Sequence, residues 1–239
     1  MRINWTFFKG LFCLIFVAFL YGFSSYKNNA RKVMKFHTDF EGLGPLFINH
    51  DSVNKLLIQK PDSAKMLRKD ILDLNRLEHS LRSHDMVKNA QVYLTIGGQL
   101  NVKIQQREPI ARVHSSPSFY IDDDGLLMPL SPIYSARVPI VTGIVDSTAL
   151  EGIYKIASTV SNDAFLKRHV IEIQQDSVGY FSLKIRTLDW EVVLGDLSVL
   201  EQKIIKFKAF YQKAKKDNTL QAYSKINLMF EQQVVCTKK

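Results

Sequence analysis

Residues 87–106 read VKNAQVYLTI, then GG, then QLNVKIQQ. In the first run Ala90, Val92, Leu94 and Ile96 alternate with Gln91, Tyr93 and Thr95. In the second, Leu100, Val102 and Ile104 alternate with Asn101, Lys103 and Gln105. A period of two places each apolar set on one face of a strand. The joint decides how the two faces meet. A two-residue loop, Gly97-Gly98, would pair Ile96 with Gln99 and turn the apolar sets to opposite faces. A three-residue loop, Gly97 to Gln99, pairs Ile96 with Leu100 and aligns them. The expectation is therefore a three-residue hairpin with a bulge, its glycines supplying positive φ.

A sheet with one apolar face needs a cover, and the preceding residues provide it. Leu67, Ile71, Leu74, Leu77 and Leu81 recur at three and four residues, the pattern of a helix burying one face. Lys60-Pro-Asp-Ser63 breaks the chain before it. His50 to Ile58 reads as a short helix with Asp51 or Ser52 as N-cap, and Lys32 to Phe40 as a strand. The unit expected over residues 27–108 is strand, helix, helix, strand, strand.

Ahead of it, Gly10 to Tyr26 holds 17 residues without a charge, flanked by Trp5, Phe7, Phe8, Tyr21 and Tyr26 in the manner of interfacial belts. A spanning helix needs about 20 apolar residues, with about 17 as a lower limit, and Lys9 can snorkel to lengthen the span. The expectation is a retained anchor at 10–26 behind a short tail, 1–9. The alternative is a cleaved signal peptide ending near Gly22-Phe23-Ser24. Basic residues flank both ends (Arg2 and Lys9; Lys27, Arg31, Lys32 and Lys35), so charge leaves the orientation open.

After Glu108-Pro109 the pattern changes. Short β segments are expected at Ile110 to His114, Ser118 to Ile121, Leu126 to Leu130 and Val138 to Val141, punctuated by prolines. A helix is expected at Leu150 to Lys167, and strands at Val170 to Gln174, Tyr180 to Arg186 and Trp190 to Leu194. In LSVLEQKIIKFKAFYQKAKK, Leu197, Leu200, Ile204, Phe207 and Tyr211 form an apolar stripe. Ser198 and Glu201 fit a capping box, and Lys213, Lys215 and Lys216 suit the negative C-terminal end. A last strand runs from Lys225 to Phe230, with Val235 as its furthest extent. Residues 109–239 thus form a mixed β domain with flanking helices, and the fold class is α+β.

Composition narrows the chemistry. Arg2 and Lys9 precede the apolar run, leaving 30 of 32 basic residues and all 23 acidic residues after it. That balance favours anionic partners without choosing among them. The cations are scattered, with no zinc-finger spacing or RNA-binding aromatic motif, so no nucleic acid is expected. Cys13 and Cys236 are too far apart in kind and place to predict a disulfide. The six histidines show no paired ligand spacing, and His79 and His84, five apart on a helix, read as surface positions. No GxSxG and no phosphate-cradling glycine loop occurs. Asp122-Asp-Asp-Gly125 lies between apolar β segments, and Asp-Gly suits a tight hairpin turn. A calcium loop would need further oxygen ligands and a distal Glu, which are missing. No catalytic residue, metal or cofactor is expected.

Together these pieces resemble the FtsQ/DivIB family of cell-division proteins, in a divergent form. The matching residues are the N-terminal span, Val87-Lys-Asn-Ala-Gln-Val92, Leu100-Asn-Val-Lys-Ile104, Gln106-Arg-Glu-Pro-Ile-Ala111, Ile121-Asp-Asp-Asp-Gly125, Val138-Pro-Ile-Val-Thr-Gly143, Trp190-Glu-Val-Val-Leu-Gly195 with Lys203 downstream, and Ile226-Asn-Leu-Met-Phe230. Their order and spacing carry the resemblance. It implies a cytoplasmic tail, one membrane span, a POTRA domain and a larger β domain, both outside the cytoplasm. It further implies a non-enzymatic scaffold at the division septum that binds coiled-coil partners of the FtsL and FtsB type and other division membrane proteins, and helps control septal peptidoglycan synthesis.

In the family the last strand is an edge that pairs with a partner strand. That places partner contacts at Ile226, Asn227, Leu228, Met229 and Phe230, with Gln232 beyond. Phe230 stands where the family has a partner-contacting Tyr, and Asn227-Leu-Met-Phe230 replaces the usual Asp-Leu-Arg-Tyr. Met86 takes the place of an aromatic, the hairpin proline is missing, and Pro61 to Asp73 has no counterpart. Two other readings remain. One is a POTRA-bearing assembly or secretion component, which predicts repeated units or a barrel. The other is an envelope enzyme, which predicts a reactive cluster in a cleft.

Overall fold

The computed structural model describes residues 5–29, 35–42, 44–57, 73–143 and 150–239. The expectations at 32–34, 60–63, Leu67 and Ile71 lie outside them. The chain divides into two compact units, Met1–Gln106 and Arg107–Lys239.

The first unit opens with α1, Trp5–Asn29, whose stretch Phe8–Lys27 is long and apolar enough to cross a membrane. Lys9 Nζ lies 5.4 Å from the Trp5 ring, so the ammonium leans toward the helix end, as snorkelling requires. The rest of the unit is β1 (Lys35–Glu41), α2 (His50–Leu57), α3 (Leu74–Arg82), β2 (Val87–Leu94) and β3 (Gln99–Gln106). The sheet order is β1-β3-β2, with β1 parallel and β2 antiparallel to β3. Leu100, Val102 and Ile104 are wholly buried on one face of β3, and Val53 of α2 and Leu81 of α3 are wholly buried too. Gln106 Oε1 accepts the Phe47 and Ile48 backbone N–H groups at 2.7 and 3.2 Å, tying the segment before α2 to the end of β3.

Three local expectations need correction. The hairpin pairs Leu94, not Ile96, with Leu100. Its three-residue loop is Ile96 to Gly98, closed by Thr95 N–H to Gln99 O (2.9 Å) and Gly98 N–H to Thr95 O (3.0 Å), with positive φ only at Gly98. The face alignment survives because the shift is two residues, and Ile96 is left exposed in the loop. The α2 cap is Asn49, whose Oδ1 accepts the Ser52 N–H at 2.7 Å. His84 lies beyond the end of α3, half-buried, and its Nδ1 accepts the Met86 N–H.

The second unit is built on one sheet of nine strands among the described residues, ordered β12-β11-β10-β9-β8-β7-β4-β5-β6. The strands are β4 (Pro109–Val113), β5 (Phe119–Asp122), β6 (Leu127–Pro129), β7 (Ile140–Gly143), β8 (Val170–Gln175), β9 (Phe181–Ile185), β10 (Leu188–Gly195), β11 (Tyr223–Asn227) and β12 (Val235–Lys238). The helices α4 (Leu150–Asn162) and α5 (Ala164–His169) lie between parallel β7 and β8. The helix α6 (Leu200–Lys216) lies between parallel β10 and β11.

Strand registers line up an apolar row across one face: Val113, Val141, Ile173, Leu183, Val192 and Ile226. It packs with Ile153, Ile156 and Val160 of α4 and Ile204 and Phe207 of α6. The adjacent row on the opposite face is polar and alternates in charge: Glu172, Lys184, Glu191 and Lys225. Its bridges are Lys184–Glu172 at 2.9 Å and Lys225–Glu191 at 3.2 Å.

The expected helix 150–167 is two helices. Asp163 breaks it by accepting the Phe165 and Leu166 N–H groups, each at 3.0 Å, as the N-cap of α5. The expected capping box on α6 is absent: Ser198 Oγ donates to Asp196 Oδ1 instead, and Val199 occupies the cap at φ 43° without a side-chain bond.

Candidate functional site

The residues singled out for partner binding fall at the far end of the sheet, and they divide in two. Ile226 and Leu228 are wholly buried in the core cluster. Burial of side chains this size is worth about 1.5–3 kcal/mol each, which holds β11 in the sheet. Asn227 is half-buried, and its Oδ1 accepts the Met229 N–H at 2.9 Å. That local bond turns the chain out of the strand, so β11 ends at Asn227 rather than Phe230. Met229, Phe230 and Gln232 are exposed.

The strand expected to be the edge is not the edge. β12 pairs antiparallel with β11 over Ile226–Cys236 and Asn227–Val235, and the outer side of β12 has no strand partner among the described residues. The sequence reading missed this strand because Val235–Lys238 is only four residues long and carries a single large aliphatic side chain. Short, lysine-bearing edges are a common way to limit unwanted pairing.

Two devices order the connection between β11 and β12. Lys206 of α6 donates to the Phe230 and Glu231 carbonyls at 2.7 and 3.1 Å. Met229 packs against Gly195 so closely that a Cβ there would lie 2.8 Å from Met229 Cγ, and Gly195 has φ +71°. Behind Gly195, Lys203 is almost fully buried and donates to Asp196 Oδ1 (2.7 Å) and Asp196 O (2.9 Å). Hydrogen bonds from Lys203 and Ser198 hold the Asp196 carboxyl below its ordinary value. Ile205, Met229, Phe230 and Val235 on these elements are exposed.

The three aspartates form a turn. Asp122 Oδ1 accepts the Asp124 and Leu126 N–H groups at 3.0 and 2.7 Å, and Gly125 takes φ +79°. Asp122 Oδ2 accepts from Arg107 Nη1 at 2.8 Å. Both oxygens of the one buried carboxylate in the trio are therefore engaged by the fold. The turn recurs at Asp176 to Tyr180, where Asp176 Oδ1 accepts from Val178 and Tyr180 and Gly179 has φ +91°.

These features define a class: an N-terminal helix able to span a membrane, a small three-stranded α/β unit, and a mixed sheet ending in a short strand whose outer side is unpaired among the described residues. A family model described as FtsQ/DivIB, C-terminal related, matches residues 108–237, more than half of the chain. A POTRA-like domain model matches residues 43–105. No curated protein compared with the chain matches it. The chain belongs to the FtsQ/DivIB family, and is a divergent, division-associated POTRA protein.

Proposed function

We propose that the chain is a non-enzymatic, single-pass scaffold of the division machinery in the inner membrane, with both folded units on the extracytoplasmic side at the septum. It binds coiled-coil division partners of the FtsL and FtsB type and so helps control septal peptidoglycan synthesis. The observation that carries this reading is the outer side of β12, unpaired among the described residues, in a chain of this family. A partner strand added there would gain backbone hydrogen bonds, and side chains beside the edge would select it.

In this reading the contact residues are Met229, Phe230 and Gln232 together with β12. Ile226, Asn227 and Leu228 contribute by holding the adjoining strand in place. The test is a titration of the full chain, in detergent, with the extracytoplasmic segment of the partner pair, run beside Phe230→Lys. Saturable binding weakened by the substitution, with an unchanged circular dichroism spectrum, supports the reading. A folded chain that does not bind at high micromolar partner concentration refutes it.

A further inference from the structure

A second surface of the same unit has a charge order of its own. A groove of about 590 Å³ crosses the ends of β9, β8, β7, β4 and β5. At one end stand Arg186, just past β9, and Lys167 of α5. Arg137 enters just before β7. Among the described residues, none of the three forms an ion pair or a side-chain hydrogen bond, and all are exposed. The opposite end is acidic: Glu108 precedes β4, and Asp123 follows β5 and donates its N–H to Glu108 O at 3.0 Å. Between them Ile140 and Ile171, on neighbouring strands, stay exposed beside the groove.

The groove therefore runs from positive to negative with an apolar middle. Four strand spacings of about 4.8 Å give a length of about 19 Å, which is about six extended residues. A volume of this order is that of ligand clefts rather than of surface ripples. A uniformly anionic polymer would meet Glu108 and Asp123 at one end, and a bilayer surface is flat where this site is concave.

We propose that the groove binds an extended peptide segment of another protein, about six residues long, with carboxylates toward one end, aliphatic side chains in the middle and basic side chains at the other. The carboxylates lie against Arg186, Lys167 and Arg137. The basic end lies against Glu108 and Asp123. The site is independent of β12 and of any partner bound there.

The test uses the full chain in phosphatidylcholine nanodiscs and fluorescein-labelled peptides EEVVKK and EKVVEK, which share one composition, read by anisotropy. Expected is saturable binding of EEVVKK, at least about fivefold weaker binding of EKVVEK, and about a tenfold loss in Arg186→Glu/Lys167→Glu, since like charge now faces the acidic end. Arg137→Glu, a separate exposed change, is expected to weaken binding in the same direction with the melting temperature unchanged. Equal binding of the two peptides, indifference to all three substitutions, displacement by inorganic polyphosphate at lower concentration than by unlabelled EEVVKK, or no saturation by about 1 mM peptide would each overturn the proposal.

Discussion

Arg107 donates a 2.8 Å hydrogen bond to Asp122, whose side chain is wholly buried. With the β4–β5 pairing and the Asp123 N–H to Glu108 O bond, this contact joins two stretches recognised separately in the sequence, Gln106-Arg-Glu-Pro-Ile-Ala111 and Ile121-Asp-Asp-Asp-Gly125. It fixes the first residue of the second unit to its first hairpin. Removing one partner of a buried pair leaves an uncompensated charge, at about 3–5 kcal/mol. Arg107→Met is therefore expected to destabilise the second unit by about 3 kcal/mol. Asp122→Asn should cost less, because the amide oxygen still accepts the two turn N–H groups. The double substitution should recover part of the Arg107→Met loss, which a double-mutant cycle in denaturant measures.

Glycines with positive φ are not equivalent. A Cβ at Gly143 would lie 1.8 Å from the Gln175 carbonyl oxygen, which is backbone of the neighbouring strand. At Gly179 it would meet only a side-chain nitrogen at 3.9 Å. Gly179→Ala should cost about 1–2 kcal/mol, the left-handed penalty alone. Gly143→Ala should cost clearly more, because β7 and β8 must separate. Comparable losses in chemical denaturation would contradict this.

Acid should act through named carboxylates. Burial pushes Asp163 upward, but hydrogen bonds from Lys208 and the Leu166 and Phe165 N–H groups outweigh it, and its pKa is lowered. Glu172 is likewise lowered: burial opposes, and Lys184 and Thr142 prevail. A folded value below the unfolded one stabilises above the unfolded pKa, about 4 for these groups. That contribution is lost as pH falls through the folded value. Melting temperature should fall below about pH 4, and less steeply in Asp163→Asn/Glu172→Gln. Asp163→Ala should also lose the α5 cap, at about 1 kcal/mol.

Lys206 is expected to matter more for binding than for folding. It is a partly exposed donor to two carbonyls, so Lys206→Met should leave the melting temperature nearly unchanged. With the Phe230 loop released, the partner must order it on binding, at about 0.5–1.5 kcal/mol per side chain. Affinity should drop about threefold to tenfold. A titration showing full affinity would remove this residue from the positioning of Phe230.

What the sequence revealed follows from the range of the forces involved. The alternation in 87–106 and the stripe Leu200, Ile204 and Phe207 are local patterns imposed by burial, and both elements form where expected. The turn at Asp122 was legible because Gly125 supplies the positive φ. The hairpin register was misjudged by two because Thr95 Oγ1 also enters the turn, accepting the Gln99 N–H at 3.1 Å. Asn49 and Asp163 could have been chosen as caps, since both are strong N-cap residues three positions before helical N–H groups that need acceptors. The Arg107–Asp122 pair, the Lys206 clamp and the packing of Met229 on Gly195 span 15 to 34 residues of sequence, and no periodicity announces them. The same holds for β12: its pairing depends on Ile226 and Asn227 across a turn that Asn227 itself begins.

The most direct measurement is hydrogen–deuterium exchange of the full chain with and without the extracytoplasmic segment of the coiled-coil partner pair. Amides of Val235–Lys238, now on the outermost strand, are expected to gain protection on binding, together with those at Met229 and Phe230, while the opposite edge at Leu127–Pro129 stays unchanged. Saturating partner with no change in β12, or protection confined to Leu127–Pro129, would contradict strand addition at this edge.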